Sequence, residues 1–126
     1  MGLDVRVIMC KNRNQVKQPD FWDKCVTGWK ENEDGYIDYT IPHEVYYARK
    51  FWALYTPMAR SLKLDNDSEV YSQPLTKQDI EDMIDIATHN RDYFDTFDTV
   101  PALCEILDRY DEATENGMIF LFEGDY

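Results

Sequence analysis

The segment Ile41 to Leu64, IPHEVYYARKFWALYTPMARSLKL, concentrates more apolar and aromatic side chain at helical spacing than any other stretch of the chain, and any fold must bury it. Val45, Ala48, Trp52, Tyr55, Ala59 and Leu62 step by three and four along one stripe, and Tyr47, Phe51, Leu54 and Met58 form a second stripe beside it. The combined arc is wider than a surface helix needs, so the segment reads as a central core helix. Pro42 suits its first turn, and Glu44 complements the positive helix end. Pro57 removes a hydrogen bond and clashes with the preceding turn, which predicts a kink or break near Tyr55 and Thr56.

The flanking segments supply partners for this core. Leu3, Val5, Val7 and Met9 alternate with Asp4, Arg6 and Ile8, which predicts a strand with one buried face. Cys10 to Pro19 reads as a polar loop with Lys11, Arg13 and Lys17, and Asp20 as the cap of a short turn carrying Phe21, Trp22, Cys25 and Trp29. Asp34-Gly35 marks a tight bend, and Tyr36 to Thr40 a second strand. After the acidic turn Asp65-Asn66-Asp67, Glu69 to Ser72 reads as a short edge strand. Thr76 with Asp79 is a capping-box start for a helix to about Phe94. Its inner face is Ile80, Met83, Ile84, Ala87 and Phe94, and its outer face Asp82, Asp85, His89 and Asp92. A third helix follows Asp98 or Thr99, with Pro101 in its first turn. Leu103, Ile106, Leu107 and Tyr110 lie inside it, and Glu105, Asp108, Glu112 and Glu115 outside. Asn116-Gly117 ends it, and Met118 to Phe122 is a strand to pair with Leu3 to Met9. The expectation is an α+β fold in one domain, residues 1–126: a small, mostly antiparallel sheet packed against a central helix and two acidic amphipathic helices.

Charge is unevenly spread. The formal net charge is -12; residues 1–63 carry ten Lys or Arg against eight Asp or Glu, and residues 64–126 carry three against seventeen. A field of that sign repels nucleic acid and anionic membrane and favours a basic protein surface. No apolar run approaches the roughly 20 residues that span a bilayer, and Asp4 and Arg6 interrupt the apolar start, so a cytoplasmic protein without leader or membrane partner is expected. Cys10, Cys25 and Cys104 are odd in number and lack metal-type spacing, which reads as free thiols.

Sites of chemistry are sparse. Asp82, Asp85, His89 and Asp92 line one helix face at a spacing that can hold a divalent ion, although ligands from a single exposed helix make an open, weak site and the reading remains a solvated face. His43 beside Glu44 has the chemistry of a general base but no accompanying nucleophile motif. Cys25, His43 and Asp38 hold the residue types of a thiol triad without a visible means of activating the thiol. No cofactor or metal is expected. The competing reading is a small enzyme or ligand-binding domain with a pocket near His43, using Cys25 or Tyr47. The three cations of the Lys11, Arg13, Lys17 loop lack the interleaved aromatics of a nucleic-acid site. More distinctive are two successive helices with carboxylates about 5.4 Å apart along each outer face, an interval near that of phosphates along a nucleic-acid strand.

Three segments carry a resemblance. Met1-Gly2-Leu3-Asp4-Val5-Arg6-Val7 is similar to the Gly-Leu-Asp-Met-Tyr-Leu opening of a group of short phage and prophage proteins of unassigned function, with Val5 and Arg6 departing from Met-Tyr. Glu44-Val45-Tyr46-Tyr47-Ala48-Arg49-Lys50 resembles the group's Glu-Val-x-Tyr-Trp-Arg-Lys, with Ala48 replacing Trp, and Asn116-Gly117-Met118-Ile119-Phe120 resembles its late Gly-Phe-Phe-Phe strand. The resemblance implies viral origin and an α+β fold, and it supplies no catalytic residues. Small acidic phage proteins often bind and block host machinery, CRISPR effectors among them. The expected function is therefore non-enzymatic binding and inhibition of a basic host nucleic-acid-binding protein, of anti-CRISPR or other anti-defence type with nucleic-acid mimicry as one route, through Glu81, Asp82, Asp85, Asp92, Glu105, Asp108 and Glu112.

Overall fold

The computed structural model describes residues 2–64, 70–90 and 96–126. The elements in order are β1 (Asp4–Cys10), a 3-10 turn (Arg13–Lys17), α1 (Phe21–Lys24), β2 (Val26–Thr27), β3 (His43–Arg49), α2 (Trp52–Ser61), α3 (Lys77–His89), α4 (Thr96–Glu115) and β4 (Ile119–Asp125). They make an α+β fold around a mixed sheet of order β2-β3-β1-β4. β1 is central and antiparallel to both β3 and β4, whereas β2 pairs in parallel with the start of β3.

The long apolar segment is not one helix. Its first half is β3, whose partners on β1 run from Arg49 opposite Asp4 to His43 opposite Met9, with Val45 as the extra residue of a β-bulge. Apolar residues fill almost every position of Val45 to Leu54, so helical and alternating patterns fit equally well and periodicity does not discriminate. The β-branched and aromatic run Val45-Tyr46-Tyr47 and the open flank of β1 decide for a strand. Lys50, in the left-handed region at φ 59°, divides strand from helix. The rest is α2, which passes through Pro57 without a break and buries Leu54, Tyr55 and Met58.

Other expectations hold more closely. β4 pairs with β1 along its whole length, and α3 opens with the reciprocal capping box of Thr76 and Asp79. α3 ends at His89, short of Phe94, which lies outside the described residues. α4 starts at Thr96, ahead of the expected Asp98, leaving Pro101 inside the helix. Tyr36 to Thr40 is reduced to a single bridge between Glu31 and Ile37 around a bend held by the Asn32 side chain. Of the edge strand expected over Glu69 to Ser72, Glu69 lies outside the described residues, and from Val70 on the chain is tied to β4: Ser72 N–H reaches the Phe122 carbonyl (2.9 Å), Leu75 N–H that of Phe120 (2.8 Å), and Gly124 N–H that of Val70 (3.0 Å).

Both faces of the sheet are covered, unequally. The inner face of β1, with Leu3, Val5, Val7 and Met9, meets α2, α3 and α4 in the main core with Phe120, Phe122, Leu54, Met83 and Ile106. Ile8, expected to face outward into solvent, is buried on the opposite face in a smaller cluster with Cys10, Val16, Phe21 and Leu121. The 3-10 turn and α1 thus roof one end of the outer face, while the other end carries polar side chains.

Candidate functional site

The acidic surface is built on α3 and α4. Glu81 and Asp85 are exposed on α3 and Asp82 is half-buried; Glu105, Asp108 and Glu112 are all exposed on α4, and Asp92 lies outside the described residues. The two helices pack together, and the Lys77 ammonium meets the Asp111 carboxylate at 2.7 Å, which sets the start of α3 beside the end of α4. Asp111 thus faces the start of α3, Glu112 faces the loop that carries Tyr39, and at about 100° per residue Asp108 lies between them. Glu112 accepts a hydrogen bond from the Tyr39 hydroxyl, and Asp82 one from the Gln78 amide at 2.9 Å. Burial and the Glu112 charge raise the Tyr39 pKa, keeping that hydroxyl a donor. The expected contact residues that are described thus lie on two packed helices, with Lys77 paired to Asp111 beside them.

Of the four candidate metal ligands, Asp82, Asp85 and His89 lie on α3 and Asp92 lies outside the described residues. The His89 ring nitrogen turns back to the Asp85 carbonyl at 2.7 Å, with the Asp85 carboxylate at 3.5 Å. Among the described residues no group of three or more His, Cys, Asp or Glu is placed to hold an ion.

The thiol triad is not assembled. Cys25 packs on the outer cluster, with Glu44, Arg6 and Glu123 as its charged neighbours. His43 stands opposite Met9 on the inner side, its ring 6.5 Å from that of Trp29. The sheet separates them. Burial pushes the Cys25 thiol up to about 11 and the Cys10 thiol up to about 12, so both are protonated at neutral pH. His43 has no exposed surface, so no pocket opens onto it. Its burial lowers the imidazole pKa; the backbones of Lys30 and Ile41 and the Asp38 charge oppose the drop, although neither ring nitrogen makes a well-formed hydrogen bond. It is a core histidine held neutral.

The basic loop is also structural. Arg13 donates from Nε to the Ser72 carbonyl (2.9 Å) and from a terminal nitrogen to that of Tyr71 (3.1 Å). Lys11 Nζ reaches the Asn116 carbonyl at 3.0 Å, where its charge suits the negative end of α4. Two of the three cations are thereby committed to backbone.

A polar cluster that sequence reading did not single out occupies the open end of the outer face. Arg6 on β1 bridges Glu44 on β3 and Glu123 on β4, each at 2.6 Å. Its guanidinium lies over the Tyr47 ring (4.8 Å) and the Trp22 ring (5.3 Å). Tyr47 donates to Asp4 at 2.7 Å. Glu123 is almost fully buried, and burial together with its charge raises the pKa of neighbouring Tyr71. The signal was present in Arg6 itself, a charge at the centre of an apolar strand, but naming its partners required the strand register. One guanidinium thus serves two carboxylates, and the arrangement ties three strands together.

No helix among the described residues is long and apolar enough to cross a membrane. The chain matches no family model, no curated protein and no solved structure.

Proposed function

We propose that the chain is a non-enzymatic interaction protein of phage type, which docks the acidic faces of α3 and α4 on the basic surface of a host nucleic-acid-binding protein and inhibits it, as an anti-CRISPR or other anti-defence protein or nucleic-acid mimic does. The observation that carries this reading is the exposure of Glu81, Asp85, Glu105 and Asp108 on two packed helices of the half that holds seventeen carboxylates against three cations. A basic groove evolved for phosphates meets such a surface with its charges already in place. The buried His43 and the protonated Cys25 weaken the competing enzymatic reading.

Affinity capture from bacterial lysate, with mass spectrometry and then a salt titration of the captured protein, tests the proposal. Replacing Asp82, Asp85 and Asp108 together by Lys is expected to weaken binding at least about tenfold and to flatten its salt dependence. Unchanged affinity in that triple variant would overturn the electrostatic docking.

A further inference from the structure

The sheet offers a second surface, separate from the acidic helical faces. β2 pairs only with the first two residues of β3, Val26 with His43 and Thr27 with Glu44. The last link is Gly28 N–H to the Glu44 carbonyl at 2.7 Å, and Gly28, at φ 82°, then turns the chain away. β3 runs on to Arg49 with β1 on one side and, among the described residues, no strand on the other.

Strand geometry identifies the groups on that open side. Lys50 N–H points to β1, donating to the Leu3 carbonyl at 2.7 Å. Alternation then turns the N–H and C=O of Arg49, and of Tyr47 two residues earlier, toward the outside. No described backbone group pairs with them. They open onto a groove of about 400 Å³ between this edge and the first turns of α4, where Asp98, Thr99 and Ala102 form the far wall. A strand edge facing a helix is the geometry in which an extended peptide adds to a sheet, its backbone giving affinity and its alternate side chains reaching the helix.

We propose that this groove binds an extended segment of a partner protein, carrying Lys or Arg, as an added strand on β3. The backbone groups of Tyr47 and Arg49 demand an extended occupant, because only a strand presents donors and acceptors at their spacing. The small Ala102 leaves room for a β-branched side chain against the helix wall. Charge selects the cation: Glu44 is already held by Arg6, whereas Asp98 is an exposed carboxylate on the groove wall. Tyr47 and Arg49 send their own side chains to the outer face, so Arg49 does not oppose that cation.

The test is to pan a phage-displayed library of random linear peptides on the immobilised chain and to titrate synthetic copies of the enriched peptides into the isotopically labelled protein. The expected peptides are rich in β-branched residues and contain Lys or Arg, and they slow amide hydrogen exchange at Tyr47 and Arg49. Asp98→Lys weakens them about fivefold or more while its thermal unfolding stays near that of the parent, and Ala102→Trp, which fills the groove from a half-buried helix position, abolishes binding. Failure to enrich any peptide, protection elsewhere, or affinity indifferent to both variants overturns the proposal. So does protection of Tyr47 and Arg49 in a concentration-dependent dimer without peptide, which would make the occupant a second copy.

Discussion

Arg6 shows how one residue ties three strands together. Its burial opposes the charge, but hydrogen bonds and charge from Glu123 and Glu44 outweigh that and raise its pKa. Removing it strands Glu123, whose side chain is only 4% exposed. Arg6→Met is therefore expected to cost about 3 kcal/mol, and Glu123→Leu added to it to restore most of the loss, both measured by urea unfolding. His43 acts through protons instead. Because burial depresses its pKa below the ordinary 6.5, the unfolded chain takes up a proton that the folded chain refuses just below that value. Its contribution is complete above 6.5 and is lost as pH falls through and below it. Unfolding midpoints at pH 7.5 and about 5.5 should diverge for the parent, and His43→Leu should reduce the difference. Equal slopes in parent and variant would contradict the neutral core histidine. Neither role was legible beforehand: Arg6 was visible as an outward charge and His43 as a titratable group, but their partners lie 38 or more residues away or in the core.

At the scale of elements, local chemistry was read well where a motif closes on itself. The Thr76 and Asp79 box forms both of its bonds, at 2.8 and 3.1 Å, and Gly117 ends α4 at φ 81°. There Gly117 N–H bonds the Thr114 carbonyl and Met118 N–H that of Ala113, each at 3.0 Å. α2 ends in the same pattern, Lys63 N–H to Arg60 and Leu64 N–H to Ala59, but with Lys63 at φ 57° in the glycine position. Lys63→Gly should raise stability by up to about 1 kcal/mol and Gly117→Lys should lower it by a similar amount, as read by thermal unfolding. Gly124 on β4 has a different constraint: a Cβ there would lie 1.9 Å from the Tyr55 ring, which stacks over Phe122. Gly124→Ala should cost about 1 to 3 kcal/mol by displacing that ring. The failure at Ile41 to Leu64 has the opposite cause. Inside the segment only the run Val45-Tyr46-Tyr47 leans toward a strand, and the open flank of β1, supplied by residues 4–9, completes the choice.

For the whole molecule, the sheet separates two electrostatic problems. Around β1 the Arg6 guanidinium bridges Glu44 and Glu123, while α3 and α4 carry carboxylates that face water with few cations among them. Screening that repulsion should stabilise the fold, so raising sodium chloride from about 20 to 500 mM is expected to raise the melting temperature by a few degrees. A fall instead would mean that the Arg6 and Lys77 pairs dominate. The sheet's margins are as unlike as its faces. Beyond β4 the segment 70–75 is laid down and then closed off, its outer carbonyls at Tyr71 and Ser72 occupied by Arg13 and Pro74 offering no N–H. Among the described residues, the β3 margin is the one that remains receptive. A sheet with a single receptive margin cannot polymerise through its strands: one added strand, or one second copy, uses up the vacancy, and growth ends there.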